Sequence, residues 1–359
     1  MPSITNNNPC VVLQKVGSIT YEDRPVPELT DPHYVKIAIK QTGLCGSDLH
    51  YYETGCCGSF KVEKPMVLGH ESSGEIVEVG SAVTSLKVGD RVACEPGIPS
   101  RYSQEYKSGN YNLCPHMAFA ATPPYDGTLC RYYLLPEDFC VKLPDHVSLE
   151  EGALVEPLAV GVHANRLIDV KFGDSIIVFG AGPVGLLCAG VAKAFGCDKV
   201  LLVDIIDEKL AFAVEHGLAS HTFNSRGQKF DDLMEKVKSI WKDSEHGLPT
   251  CGIDATGNQT CTNMCIRALA KKGRFVQVGM GPDNMDNFPI AAVMEKELTV
   301  KGSFRYSVND YNYAVQLLKE RKLNVKPLVT HRFKFSEAIE AYEFSKKGQS
   351  IKIMISGPE

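Results

Sequence analysis

The sequence predicts an α/β chain of two domains, one β-rich and one built on a doubly wound parallel sheet, and three observations carry that prediction. A length of 359 residues exceeds what a single hydrophobic core fills. From Cys10 to about Glu156, short apolar runs such as Val35–Ile39 and Glu75–Val79 alternate with Gly, Pro and Asp clusters, the texture of a folded sheet or barrel with long loops. From about Gly173 the texture changes to strand then helix, repeatedly, which is how helices come to cover a parallel sheet.

The second half is read in order. Ser175–Phe179 is a strand, Pro183–Phe195 a helix, Val200–Val203 a strand and Asp207–His216 a helix. Gly252–Ala255, Arg274–Val278 and Leu298–Lys301 are further strands. The segment Arg226–Pro249, charged and polar with an amphipathic middle, reads as a surface helix and loop.

Between the first strand and helix of that half stands Gly180-Ala181-Gly182-Pro183-Val184-Gly185, a G-x-G-x-x-G run. Three glycines in six residues are common, so the setting carries the weight. Gly180 makes the tight turn, Gly182 lets the backbone approach a pyrophosphate, and Gly185 lets helix and strand pack closely. The free N–H groups of the helix start complete an anion site. Asp204, 19 residues beyond Gly185 at the end of the next strand, is placed to receive ribose hydroxyls. Ile205 and Ile206 offer no guanidinium for a 2′-phosphate, so NAD is the expected cofactor, with Lys209 near the adenosine ribose. These features predict a Rossmann domain.

In the first half Cys45, His70 and Glu71 offer thiolate, imidazole and carboxylate, the donor types that hold Zn²⁺ tetrahedrally. Three protein ligands leave a fourth position open, as a catalytic rather than a structural site requires. Each residue alone has a plainer reading as a packed Cys, a satisfied His or a surface Glu. The combination, with Glu156 later in the chain, favours the metal.

Composition narrows the partners. A formal net charge of −5 with no long run of Lys or Arg excludes a phosphate-backbone site, so no nucleic acid is expected. Met1–Cys10 lacks a basic start followed by an apolar run, and no apolar stretch is long enough to span a membrane. A cytoplasmic protein is expected, its 13 cysteines remaining thiols.

The stretches Gly43-Leu44-Cys45-Gly46-Ser47-Asp48-Leu49-His50-Tyr51, Gly69-His70-Glu71, Val88-Gly89-Asp90-Arg91-Val92 and the glycine loop, in that order over nearly the whole chain, resemble the medium-chain dehydrogenase/reductase superfamily. Glu95-Pro96-Gly97, Tyr111-Asn112-Leu113-Cys114-Pro115, Glu156-Pro157-Leu158 and Gly302-Ser303-Phe304-Arg305-Tyr306 resemble its sorbitol and xylitol dehydrogenase branch. Residues 95–121 are most similar to xylitol dehydrogenases, also called D-xylulose reductases.

The resemblance implies a GroES-like catalytic domain over 1–157 and 297–359 and a Rossmann domain over 158–296. It implies zinc at Cys45, His70 and Glu71, with Glu156 an alternating ligand or the acceptor for the metal's water, and Asp48 orienting His70. Ser47 matches the hydroxyl of a proton relay with His50 as its outlet. Tyr51, Phe119, Glu156, Arg305 and Tyr306 would line a polyol site, and Gly180, Gly182, Pro183, Val184, Gly185, Asp204, Lys209, Val278, Gly279, Met280, Ser303, Phe304 and Arg305 the cofactor site. His163, in an apolar run, reads as packed.

Many relatives bind a structural zinc through C-x₂-C-x₂-C-x₇-C, where this chain has Ser100, Ser103, Tyr106 and Cys114. One thiolate cannot close a tetrahedral site, so one catalytic zinc per subunit is expected. Tyr102, Tyr106 and Tyr111, with turns at Pro96, Pro99 and Gly109, are the candidates for ordering the lobe instead. The reaction implied is reversible hydride transfer from C2 of a polyol to NAD, xylitol to D-xylulose, in a tetramer. Sorbitol or L-arabinitol dehydrogenase is the nearest alternative; a simple-alcohol or threonine dehydrogenase and a non-catalytic binding protein are more distant ones.

Overall fold

The computed structural model describes residues 6–359. They divide into two compact units, one running to Glu156 and resuming at Ser307–Glu359, the other Pro157–Tyr306. Pro157 and residues 297–306, all expected in the first unit, therefore fall in the second. The reason is register: Thr299–Gly302 pairs with Arg274–Gln277 as the sixth strand of the parallel sheet.

The first unit is organised by a seven-stranded sheet. Its strands follow the spatial order Cys140–Lys142, Arg91–Cys94, Glu71–Val79, Tyr34–Gly43, Lys352–Ser356 and Val329–Phe333, and Tyr132–Pro136 also pairs with Tyr34–Gly43. Side chains of Tyr34–Gly43 alternate between faces. Val35, Ile37 and Ile39 enter one core with Val92, Leu135 and Phe139, while Ala38 meets Val77 and Tyr132 in another. The register sets Gly43 opposite both Glu71 and Met354, so residues from three distant parts of the chain meet at one point.

A helix that the β-rich reading had not anticipated, Gly46–Thr54, follows directly. Cys45 is its N-cap with extended backbone (φ −92°, ψ 150°), Asp48 lies in its first turn, and Gly55 closes it at φ +76° with its N–H on the Tyr51 carbonyl. The acidic first turn and closing glycine are ordinary helix signals.

The second unit contains six parallel strands in the order His221–Asn224, Lys199–Asp204, Ser175–Phe179, Cys251–Asp254, Arg274–Gln277, Thr299–Gly302. The helices Pro183–Ala194 and Asp207–Glu215 end one residue earlier than the sequence pattern suggests, at caps Phe195 and His216. Every residue of Ser175–Phe179 is buried, as a strand covered on both faces requires. His221–Asn224 went unseen because only four residues, each half-buried, carry it. The amphipathic middle of Arg226–Pro249 is the helix Phe230–Trp241; it is no mere surface element, because Leu233, Val237 and Trp241 are fully buried against Phe275 and Leu201.

All thirteen cysteines are free thiols. Among the described residues no helix is long and apolar enough to cross a membrane.

Candidate functional site

The junction of Gly43, Glu71 and the Lys352 strand builds the metal centre of the first unit. A Cβ at position 43 would lie 2.3 Å from Glu71 Oε2, so only glycine leaves room for that carboxylate. Lys352, on the strand paired with Tyr34–Gly43, donates from Nζ to both Glu71 oxygens at 2.7 Å and to the Leu44 carbonyl at 3.3 Å. The pair is almost sealed, 4% and 1% exposed. Next along the chain, Leu44 leads into Cys45, whose Sγ accepts a hydrogen bond from Ser47 Oγ at 3.3 Å.

Donor atoms of Cys45, His70 and Glu71 lie within 4.8 Å of one another. Tetrahedral bonds of about 2.0–2.3 Å to one zinc ion set donors about 3.3–3.8 Å apart, so binding would draw these three together by about 1 Å. Glu156, expected as an alternating ligand or as the acceptor for the metal's water, lies buried in the first turn of the helix Val155–Leu167 and is not one of the three converging donors. Its charge nevertheless reaches Lys352.

The electrostatics fit a cation. Burial works against a charged His70, yet the Asp48 carboxylate and the Cys45 sulfur outweigh it and hold the imidazole well above its ordinary value. Asp48 Oδ1 stands 3.4 Å from His70 Nδ1, but without hydrogen-bond alignment, and both Asp48 oxygens are buried without a hydrogen-bond partner. Burial likewise opposes the Lys352 ammonium, and Glu71, Cys45 and Glu156 overcome it and raise it. Acidic groups thus outnumber the single buried ammonium, the imbalance that a divalent ion corrects. Residues Cys45, His70 and Glu71 fit zinc in both chemistry and charge.

Other expected residues are placed in different ways. The Phe119 ring lies 5.8 Å from the His70 ring, placed by pairing of Phe119 with Gly97, where a Cβ would strike it at 2.8 Å. Ser47 and His50 occupy successive turns of the helix that begins at Cys45, Ser47 half-buried and His50 exposed. Tyr51 belongs to a hydrophobic cluster with Leu44 and Tyr342. His163 is buried in its helix.

In the second unit the glycine loop takes the shape the spacing requires. Gly180 sits at φ +99°, a region that L side chains avoid. A Cβ at Gly185 would lie 1.8 Å from the Gly180 carbonyl oxygen, whereas one at Gly182 would meet nothing within 4 Å, leaving an open face above the start of the helix Pro183–Ala194. Asp204 is fixed beside it: its carboxylate accepts from Ala181 N at 2.6 Å, Ile205 N at 2.7 Å and Ile206 N at 3.0 Å. Lys209 lies half-buried in the first turn of Asp207–Glu215.

Val278 N and Gly279 N both donate to the Asp254 carbonyl, and Met280 is exposed. Ser303 N donates to Gln277 O at 2.8 Å. Arg305 adopts φ +57°, with its guanidinium 4.8 Å above the Phe304 ring, and Tyr306 is buried. A non-glycine residue in left-handed backbone is strained, and such strain gathers at functional positions.

Three contributors escaped the sequence reading: Gly43, Lys352 and Arg226. Lys352 had a signal, a lone cation inside Ile351-Lys352-Ile353-Met354-Ile355. Arg226 donates from Nε to the Ile205 carbonyl at 3.0 Å, which puts a guanidinium on the loop after Asp204.

In the lobe, Ser103 caps the short helix Gln104–Lys107 by accepting from Tyr106 N, and Cys114 Sγ accepts from Ser100 N at 3.3 Å. Arg101 clamps Asp138 through two 2.7 Å bonds. Tyr111 donates to Glu95, while Tyr102 is 87% exposed and orders nothing, contrary to its expected packing.

Two family models match: an alcohol dehydrogenase GroES-like domain over residues 31–145 and a zinc-binding dehydrogenase over residues 183–320. Sorbitol dehydrogenase 2 of Saccharomyces cerevisiae is 55% identical over 356 residues, covering 99% of both chains. D-xylulose reductase of Scheffersomyces stipitis is 51% identical over 368 residues, covering 98% of this chain and 99% of the relative. Among solved structures, an oxidoreductase/dehydrogenase of unknown specificity from Escherichia coli superposes with a TM-score of 0.91 at 32% identity, covering 98% of this chain and all of the other.

Proposed function

We propose a reaction from one premise: the chain belongs to the polyol dehydrogenase branch of the zinc-containing medium-chain dehydrogenase/reductase superfamily. It oxidises C2 of a polyol to the 2-ketose, reversibly, with xylitol and D-xylulose as the expected pair. The observation that carries this reading is the convergence of Cys45, His70 and Glu71 within 4.8 Å. The two relatives named above support the substrate class, and the 55% likeness to a sorbitol dehydrogenase keeps sorbitol as the second reading.

One zinc per subunit, held by Cys45, His70 and Glu71, supplies Lewis acidity toward the substrate hydroxyl. NAD supplies the hydride acceptor. The remaining work belongs to side chains of this chain. Ser47 Oγ takes the hydroxyl proton and passes it toward exposed His50 and solvent. Asp48 fixes the His70 ring by charge. Glu156 accepts from water at the site, and Phe119 with Tyr51 limits water access. Arg305, braced on Phe304, and Tyr306 bind the further hydroxyls that distinguish a polyol from a simple alcohol.

Asp204, with Gly180, Gly182, Pro183, Val184, Gly185 and Lys209, selects NAD, since a 2′-phosphate would meet the Asp204 carboxylate. Val278, Gly279, Met280, Ser303, Phe304 and Arg305 complete the nicotinamide side. A homotetramer is proposed by likeness, supported by Thr299–Gly302, an edge strand exposed at every residue, with Ile290 and Met294 also exposed. The free thiols support a cytoplasmic setting.

The test is NADH formation with xylitol, sorbitol, ribitol and arabinitol compared by kcat/KM, with metal content measured alongside. A rate confined to simple alcohols overturns the polyol reading, and turnover by metal-free protein overturns the role of Cys45, His70 and Glu71.

A further inference from the structure

Two pairs of cysteines face each other across antiparallel strands of the first unit. Cys10 stands opposite Cys130 across an isolated bridge, with Val11 N donating to Leu129 O at 3.0 Å and Arg131 N to Pro9 O at 3.1 Å. The neighbours, not the cysteines, exchange the backbone bonds. That is the close type of cross-strand pair, with Cα atoms about 4.5 Å apart, within the roughly 4.4–6.8 Å that a disulfide spans. Cys94 and Cys140 are paired in register on neighbouring strands, with Glu95 N donating to Phe139 O at 2.9 Å.

Their surroundings separate them. Cys10 and Cys130 line a cavity of about 460 Å³ whose wall includes Arg24, Val67, Tyr125 and Tyr132. Cys94 and Cys140 are packed among Val92, Leu135 and Phe139. A thiol hydrogen bond from Cys130 holds the Cys10 sulfur below its ordinary value despite burial, and the Arg24 guanidinium adds to this. Burial alone pushes Cys94 up to about 12 and is the main reason that Cys140 stands well above its ordinary value. The first pair therefore combines a sulfur made more acidic, a partner thiol across the strands and a bordering cavity; burial keeps the second pair protonated.

We propose that Cys10 and Cys130 are a modification site, a dithiol that hydroperoxides oxidise to a cross-strand disulfide. The Cys10 thiolate attacks one peroxide oxygen, the O–O bond breaks, and the departing hydroxide takes a proton to leave as water. Cys10 is then a sulfenic acid. The Cys130 sulfur attacks the Cys10 sulfur, the S–S bond forms, and hydroxide leaves with the Cys130 proton as a second water. Two thiols lose two electrons and one hydrogen peroxide molecule gains them.

The bond has a structural address. Gly127–Leu129, just before Cys130, hydrogen-bonds to Val67–Gly69 through Gly127 N, Thr128 N and Leu129 N at 2.7 to 2.9 Å, and Gly69 precedes His70. Oxidation thus ties the strand Asn8–Lys15 to the segment that braces a metal ligand.

The metal-loaded protein is treated with hydrogen peroxide in small molar excess, its remaining thiols are alkylated, and it is digested without reductant for mass spectrometry. A peptide linking Cys10 to Cys130, released by a thiol reductant, is expected in the native chain and in Cys94→Ser and absent in Cys10→Ser. The thermal midpoint rises on oxidation in the first two and not in the third. Alkylation of both Cys10 and Cys130 after peroxide, a sulfinic acid at Cys10 with Cys130 free, or preferential linkage of Cys94 to Cys140 each overturns the proposal. The native chain alone yields the linked peptide or does not, so the result stands even if a variant fails to fold.

Discussion

The glycine loop and the metal centre are both preorganised, by different means. Gly180–Gly185 and Asp204 lie within 25 consecutive residues, and their geometry is made of backbone: a left-handed glycine, a missing Cβ and N–H groups on one carboxylate. The metal centre joins Cys45, His70, Glu71 and Lys352, with Glu71 and its ammonium partner 281 positions apart, and its geometry is made of buried charge. Backbone preorganisation is local and survives most side-chain changes. Charge preorganisation is long-range and fails when one partner is lost.

Separating the two sites gives the largest expected effect. Cys45→Ala should lower kcat by about a thousandfold or more, as loss of a Lewis acid worth several kcal/mol implies, while cofactor affinity changes only slightly. Equal losses of both, measured by turnover and by NAD titration, would show that the sites are not independent.

Next in size is Lys352→Met, which leaves the Glu71 carboxylate buried without its cation. A stability loss of about 3–5 kcal/mol is expected in urea unfolding, with metal affinity lowered roughly 10- to 100-fold. Combining it with Glu71→Gln should restore part of the stability, because the orphaned charge is then gone. If the double variant is no more stable than the single one, charge is not what joins these strands.

On the backbone side, Asp204→Ala with Ile205→Arg should narrow the preference for NAD over NADP by about 10- to 100-fold, the size of one or two hydrogen bonds to a charged group. Arg226, already on the Ile205 carbonyl, should assist the new guanidinium. Ratios of kcat/KM for the two cofactors are the measure. An unchanged ratio would mean that Asp204 shapes the loop without reading the ribose.

The smallest effect on turnover belongs to Glu95, a buried carboxyl whose partner, Tyr111, is neutral where that of Glu71 is a cation. Burial pushes Glu95 up to about 8 from its ordinary 4.5, against the Tyr111 hydrogen bond. Between those values the folded chain holds a proton that the unfolded chain releases, so stability falls as pH rises through that window. Glu95→Gln should flatten the decline; thermal midpoints from pH 5 to pH 8 decide it.

What the sequence disclosed follows the same division. The glycine loop, the flanking strand and helix, and Asp204 were legible because each depends on residues close in the chain. Cys45, His70 and Glu71 were legible as donor types, but Gly43 is needed only because a strand register lays Glu71 across it, and register between residues 43, 71 and 354 leaves no local mark. The helix Gly46–Thr54 was hidden by Gly and Ser at its start, and the sixth parallel strand was placed in the wrong unit because a strand does not announce its partner.

Lys352 has a consequence in time as well as in space. At roughly 5–20 residues per second of synthesis, the 281 residues added after Glu71 up to and including Lys352 take roughly a quarter of a minute to a minute to appear. Throughout that interval the nascent chain carries Cys45, His70 and Glu71 without their ammonium partner. The donors are then at their most negative and the strand that seals them has not been made. Ion capture on the ribosome and ion capture by the released chain are therefore events at two different sites.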